Sequence, residues 1–385
     1  MNQKSGNNLT NIDHIPFLAA LNITKKCNLK CVHCAVNAQN KGKEELTTEE
    51  IFTIIDECQS LGVHKFLITG GEPFTRHDII SILKFINDKK IDTVVLTNGT
   101  LITKETVRIL KSLDKCKWFG VSVDGITPKS HNYFRGIPNA LALTLKGIDY
   151  LLEADKYVEI ITVLTKLNVD EIPRLHRYTR KLGVTLRIIP KVCELGRGQA
   201  CAEALNLSIE EVIKFAKGYV FKEMEKDYRH KRVTKFEGFN NLPTIHIHLP
   251  LPLYPPSLIK FSFTCQWGKS LCGILLDGKV AICDGVTSQR KLIAGSLKEK
   301  KLEDIWLHSD LFQKLRKIKP DDFKGVCGNC LCNDICRGGC RLYAVDKYGG
   351  ILSPDPFCQE LYERGLFPKY ALINPERSCH FLECD

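Results

Sequence analysis

Residues 65–99 read KFLITGGEPFTRHDIISILKFINDKKIDTVVLTNG, and this stretch decides the fold. KFLITGG (65–71) is an apolar run closed by glycines. TVVLTNG (93–99) is a second run of the same kind. Between them, over 78–89, Ile79, Ile82, Leu83 and Ile86 recur at helical spacing. Strand, helix, strand with apolar rather than alternating strands is the pattern of parallel strands covered by helices.

The pattern extends both ways. FLAALNI (17–23) is a strand, and 47–60 is a helix with a Thr47/Glu50 capping box and Ile51, Ile54, Ile55 and Cys58 on one face. Downstream come a helix at 103–113, WFGVSVDG (118–125), a helix at 139–154, YVEIITVLT (157–165), an amphipathic segment at 170–182, VTLRIIP (184–190) and a helix at 208–226. Six strand–helix units predict a partial (β/α)6 barrel of the TIM type, with its chemistry at the C-terminal strand ends. Those ends read TGGEP, TNGT, SVDG and TKLN.

Beyond the units, the proline-rich stretch LPTIHIHLPLPLYPPS cannot be helical and is a linker or bridging strand. From 265 to 358 the chain is rich in Cys and Gly. It offers one hairpin, GILLDGKVAIC (273–283), turning at Asp277–Gly278, and a helix near 302–318. The expected organisation is a tail (1–15), a barrel (16–230), a proline-rich bridge (231–262), a small cysteine-rich domain with a hairpin and short helices (263–360) and a C-terminal tail (361–385).

With 44% hydrophobic and 26% charged residues among 385, the composition is that of a soluble globular chain. No apolar run nears the ~18 residues that span a bilayer, and the N-terminus lacks a secretion signal, so a cytoplasmic protein without membrane association is expected. The net charge of +11 suits an acidic peptide or carboxylate-bearing substrate, and equally a solvated lysine surface. No nucleic-acid module is present. Eighteen cysteines against two methionines, in a chain neither small nor visibly secreted, point to metal rather than disulfides.

Cys27, Cys31 and Cys34 form CxxxCxxC directly after the first strand. Three thiolates from one loop can hold three corners of a 4Fe–4S cluster and leave one iron open. Zinc would require His33 as a local fourth ligand, crowding three donors into four residues. CNLKCVHC followed one strand later by Gly70, Gly71, Glu72 and Pro73 resembles the radical S-adenosylmethionine (SAM) superfamily. The resemblance covers about residues 15–230. It implies that SAM chelates the open iron and that its reductive cleavage gives a 5′-deoxyadenosyl radical. It further implies a SAM pocket of Gly70, Gly71, Glu72 and Pro73, with Ser122 and Asp124 on the fourth strand, Arg135 paired to the SAM carboxylate, and Asn98 and Asn168 as weaker contacts. No catalytic acid or base is assigned.

Cys327-x2-Cys330-x5-Cys336-x3-Cys340, followed by Cys358 and preceded by Cys265, Cys272, Gly278 and Cys283, resembles the SPASM extension of some radical SAM enzymes, which carries two auxiliary 4Fe–4S clusters. By position, the first would take Cys265, Cys272, Cys283 and Cys340, and the second Cys327, Cys330, Cys336 and Cys358, making three clusters in all. Cys332 could replace Cys330. Cys379 and Cys384 lie in the tail, where a free or regulatory thiol would fit. Cys58 and Cys116 read as core, and Cys193 and Cys201, flanking ELGRG, as loop residues.

Three readings are open, the first two implied by the family resemblance and the third from a different class. The first is a maturase that crosslinks or oxidises a ribosomally made peptide or protein, favoured by fully ligated auxiliary clusters. The second is an enzyme of tetrapyrrole side chains or another small molecule. The third, a non-catalytic iron–sulfur electron carrier, has no use for a SAM pocket. An external reductant such as flavodoxin or ferredoxin is implied. With about 15 residues before the first strand, a peptide would need a separate recognition protein or would bind the barrel mouth directly.

Overall fold

The computed structural model describes residues 15–38, 45–230, 233–236, 239–374 and 376. Cys379 and Cys384 therefore lie outside the described residues. Six parallel strands, β1 (Leu18–Asn22), β2 (Lys65–Thr69), β3 (Asp92–Thr97), β4 (Trp118–Ser122), β5 (Tyr157–Val163) and β6 (Thr185–Ile189), pair in sequence order. Helices α1 (Thr48–Leu61), α2 (Ile79–Asp88), α3 (Lys104–Lys111), α4 (Pro128–Arg135), α5 (Ala140–Glu153) and α6 (Ile172–Leu182) connect them. The partial (β/α)6 barrel is thus formed as expected.

The local signals act as read. The Thr47/Glu50 capping box opens α1, and Gly62, at φ 88°, closes it in the left-handed region that suits glycine. Ile51, Ile54, Ile55 and Cys58 of α1 and Ile79, Ile82, Leu83 and Ile86 of α2 are buried against the sheet. Helix α4 is an addition: Thr127 caps it and Pro128 starts it. With only eight residues it shows no long periodic stripe.

Of the two readings of the proline-rich stretch, the bridging strand is the one formed. Strands β7 (Val233–Phe236) and β8 (Phe239–Pro243) form a separate hairpin, and β9 (Ile245–Ile247) adds to β6 as a further parallel strand. At the other edge β10 (Leu271–Ile274) pairs parallel with β1, and the expected hairpin continues through β11 (Lys279–Ala281) to β12 (Ile293–Ser296). One ten-stranded sheet thus runs through the barrel and the cysteine-rich region. The turn at Gly278 has φ 80°.

Two predicted helices are interrupted. The 208–226 segment is α8 (Ile209–Phe215), a π turn and α9 (Phe221–Arg229), after a short α7 (Ala202–Leu205). The 302–318 segment splits into α10 (Leu302–His308) and α11 (Asp310–Lys317), because the Ser309 hydroxyl caps a new helix by accepting from the Phe312 amide. Helices α12 (Asn333–Cys336), α13 (Arg341–Tyr348) and α14 (Pro356–Glu363) complete the cysteine-rich part. Among the described residues no helix is long and apolar enough to cross a membrane.

Candidate active site and auxiliary cysteine centres

The Cys27–Cys34 loop leaves the C-terminal end of β1 and is clamped from three sides. From the β2 end, the Gly71 amide donates to Thr24 O (2.6 Å) and the Glu72 amide to Lys26 O (2.8 Å). From α4, Lys30 and Val32 amides donate to Arg135 O and Phe134 O. From the loop after β6, Arg197 donates through Nε to Cys31 O (2.8 Å) and through Nη1 to Ala38 O (2.7 Å), while its amide reaches Cys34 O (2.9 Å).

The glycines matter because backbones meet here. A Cβ on Gly70 would stand 2.4 Å from Thr24 O, and one on Gly71 2.1 Å from Lys26 O. Gly71→Ala must therefore push the cysteine loop away, at a cost of roughly 1–3 kcal/mol by the usual scale of overpacking. We expect a lowered melting temperature of the iron-free chain together with less iron bound on reconstitution. Unchanged values for both would show that the loop is free to move.

Glu72 is fully buried, and its carboxylate accepts from Thr97 Oγ1 (2.7 Å), the Asn98 amide (2.7 Å) and the Phe74 amide (3.2 Å). Burial pushes its pKa up to about 7 against the pull of those donors. Pro73 follows it, buried, at the start of a 3-10 turn. Asn98 is committed to the β3 end: its Oδ1 accepts from Thr100 and its Nδ2 donates to Asn28 Oδ1. Asn168 locks β4 to β5, donating to Asp124 O and Val163 O and accepting from Thr165. Ser122 is half-buried at the end of β4.

Asp124 and Arg135 form the charged centre beneath the loop. Arg135 Nη2 lies 2.7 Å from Asp124 Oδ2, and Nη1 stands 3.8 Å from Cys31 Sγ. Arg135 is thus buried and held between a carboxylate and the Cys31 thiol, with Nε left unpartnered. His33 Nε2 approaches Asp124 Oδ2 at 3.3 Å, so the His33 ring serves the carboxylate instead of joining the thiols as the zinc alternative required. Burial works against ionised Asp124, but Arg135, His33 and His131 outweigh it and hold the carboxyl below its usual range. Residue patterns did not single out Arg197 or His131. The LGRG motif carried the only signal for Arg197, and only the fold shows what it grips.

The loop fits a cluster. Burial pushes Cys27 up to about 11, with repulsion from Cys31 and Cys34 added, while the Leu29 amide approaches its sulfur at 3.4 Å and opposes the rise. Cys31 is raised by burial and relieved by Arg135, and the Ala38 amide donates to Cys34 Sγ at 3.4 Å. Buried and half-buried thiols ringed by N–H groups and a guanidinium suit an anionic iron–sulfur centre. Among the described residues no three His, Cys, Asp or Glu side chains close around a single ion.

The second auxiliary set also converges. Cys327, Cys330, Cys336 and Cys358 line one small void with Pro252 and Phe367. The Asp355 amide donates to Cys327 Sγ (3.3 Å), and its carboxylate caps α14 and accepts from the Cys340 amide (3.2 Å), tying the two sets together. Cys330 lines the void, whereas Cys332 does not; it is hydrogen-bonded to Cys330 and held low by that bond. Arg341, 1% exposed, has Nε and Nη2 unpartnered, and its charge favours the thiolates of Cys265 and Cys340 as well as those of Cys327 and Cys336.

The first auxiliary set differs from expectation. Cys283 has Cys265 and Cys340 as electrostatic neighbours. Cys272 is turned away from them. On β10 it pairs with Ala19, whose side chain faces the helices, and cross-strand partners share a face. Its neighbour is Cys58 of α1, within the core. The next residue, Gly273, takes the other face, where a Cβ would meet the Cys283 backbone at 2.2 Å. Cys116 is core, as read. Cys201 Sγ donates to Val32 O, and Cys193 bonds Tyr343, so neither is an idle loop thiol.

The radical SAM superfamily profile matches residues 21–179 and the SPASM iron–sulfur cluster-binding domain matches 265–331. The AdoMet-dependent heme synthase of Methanosarcina barkeri is 30% identical over 89% of this chain and 96% of that protein. This chain is a radical SAM enzyme with a SPASM domain. The mycofactocin maturase MftC of Mycolicibacterium smegmatis is 27% identical over 90% of this radical SAM chain and 83% of its own. SuiB of Streptococcus suis, solved with S-adenosylmethionine bound, superposes with a TM-score of 0.70 at 20% identity, covering 90% of this chain and 78% of SuiB, and so shares the fold. The family supports 4Fe–4S clusters and SAM as cofactors.

Proposed function

We propose that this radical SAM enzyme oxidises a side chain of a propionate-bearing tetrapyrrole by hydrogen abstraction. The observation that carries the chemistry is the Cys27/Cys31/Cys34 loop seated on the Asp124–Arg135 pair. When bound, a reduced 4Fe–4S cluster supplies the electron that splits the sulfonium of SAM and so yields the 5′-deoxyadenosyl radical. Cys27, Cys31 and Cys34 hold that cluster. Arg135 sets positive charge beside Cys31, and Asp124 holds Arg135 in place. Gly70, Gly71, Glu72, Pro73, Asn98, Ser122 and Asn168 shape the adjoining strand ends where SAM binds.

The substrate class rests on the near full-length match to a protein named as a heme synthase. The displacement of Cys272 also removes one cysteine from the count behind the peptide expectation. The peptide reading stays as the second, favoured by the four-cysteine void and the match to MftC. Anaerobic incubation with SAM, reductant and either an iron coproporphyrin or small peptides encoded beside the gene separates the two. Coupled 5′-deoxyadenosine formation and a mass change in the porphyrin support the first. A mass change confined to a peptide transfers the assignment.

The proposed donor sets would hold three clusters: one on Cys27, Cys31 and Cys34, one on Cys265, Cys283 and Cys340, and one on Cys327, Cys330, Cys336 and Cys358. Cys272→Ala should accordingly keep about 12 iron per chain, and Cys283→Ala should fall toward about 8, by four-iron stoichiometry. Loss of iron from Cys272→Ala would return that residue to the first set. None of the sixteen cysteines among the described residues is paired in a disulfide, which suits a reducing cytoplasm with flavodoxin or ferredoxin as electron source.

A further inference from the structure

The inner face of the barrel carries a polar cluster that the cofactor machinery does not use. Leu186 and Ile188 of β6 and Ile245 and Ile247 of β9 point into the helix-facing core, so Arg187 and His246 point the other way, into the barrel. Arg187 Nη2 hydrogen-bonds the buried Glu159 carboxylate of β5. His246, fully buried, lies 3.6 Å from Glu159 through Nε2 and bonds through neither ring nitrogen. His248, just past β9, leaves Nε2 unpartnered, as Arg187 leaves Nε. Phe263 covers the group: its ring lies 4.9 Å from His246, 5.0 Å from His248 and 5.6 Å from the Arg187 guanidinium. Buried polar nitrogens without partners are costly in a finished core. They are expected where a ligand completes the bonding.

We propose that Arg187, His248 and His246 form a carboxylate-binding subsite that anchors the substrate inside the barrel. The inference rests on, and deepens, the radical SAM reading above. Glu159 orients the guanidinium by taking Nη2 and leaves the remaining N–H groups for an incoming anion. Arg187 keeps 23% of its side chain exposed, so the subsite has an open edge. Phe263 offers an apolar surface beside it and stands two residues before Cys265, a proposed ligand of the first auxiliary centre. The sheet register sets its distance from the SAM side. Ser122 pairs with Ile161, Ile161 with Arg187, and Arg187 with His246. Arg187 therefore stands two strand spacings, about 10 Å, across the inner face from Ser122. A substrate held by its carboxylate at Arg187 would extend its carbon skeleton toward the site of radical formation. Both a propionate of a tetrapyrrole and the side chain of an acidic peptide present this chemistry.

The test is equilibrium binding to the anaerobically reconstituted holoenzyme with SAM. The probes are coproporphyrin III, its tetramethyl ester, a short peptide with one glutamate and the same peptide with glutamine. Wild-type protein should prefer each acid over its neutral counterpart. Arg187→Gln and His248→Phe should each weaken binding of the acid roughly tenfold or more, the scale of a lost charge-assisted hydrogen bond, and leave the neutral probes unaffected. Because Arg187→Gln strands Glu159, the double variant Glu159→Gln/Arg187→Gln serves beside it, with iron content and melting temperature showing that the barrel is intact. Arg187-dependent binding of the glutamate peptide but not of coproporphyrin would keep the subsite and overturn the tetrapyrrole reading. Wild-type protein that does not discriminate acid from neutral probe, or folded variants with wild-type affinity for the acids, would overturn the subsite.

Discussion

Cys31→Ala should abolish formation of 5′-deoxyadenosine from SAM, and Cys27→Ala and Cys34→Ala should do the same. The set has three protein donors from one loop, and two cannot hold the geometry that leaves one iron open. Cys31 is the member against which Arg135 sets its Nη1, so its loss also leaves a buried guanidinium with only Asp124 as partner. Removing one sulfur from a small buried side chain costs on the order of 1 kcal/mol in packing, too little to unfold a domain of this size. The loss should therefore appear in a folded protein with less iron. Anaerobic assay of 5′-deoxyadenosine measures it, and a wild-type rate in any of the three variants would remove this loop from the chemistry.

Cys327→Ala/Cys358→Ala should abolish modified product while uncoupled SAM cleavage continues. Four cysteines line the void between the Cys327–Cys336 segment and α14, and two cannot retain a cluster there. The double variant leaves the Cys27–Cys34 loop and the Asp124–Arg135 pair untouched, so the radical step has its donors. What it lacks is a place for the substrate's electron. Cluster ligation can itself supply folding free energy, so iron content and melting temperature accompany the assay. A folded, SAM-binding double variant that forms product at the wild-type rate would refute a redox role for this centre.

Much of this protein is legible along the chain. The order of β1 to β6 and their helices follows from hydrophobic period, and α1 begins at the Thr47/Glu50 box that announces it. The loop of Cys27, Cys31 and Cys34 and the set from Cys327 to Cys336 are legible for the same reason. Their donors lie within a few residues, so covalent spacing alone keeps them together. The short α4, capped by Thr127, and β9 within the proline-rich stretch carry too few residues to show a period.

Tertiary structure decided what depends on which face a residue takes or which distant segment it meets. Cys272 has the spacing of a cluster ligand, yet the parallel register of β10 on β1 pairs it with Ala19 and turns it toward Cys58. A strand's side chains alternate, so one residue of register moves a thiol from the cluster side to the core. Arg135 has the charge to meet a SAM carboxylate, but the fold sets it between Asp124 and Cys31. Arg197 grips a loop more than 150 residues earlier in the chain. Arg187, His246 and Glu159 come from three strands and share a face only because β5, β6 and β9 are neighbours in register. Spacing along the chain determines local donor sets; strand register and long-range packing determine which of them face one another.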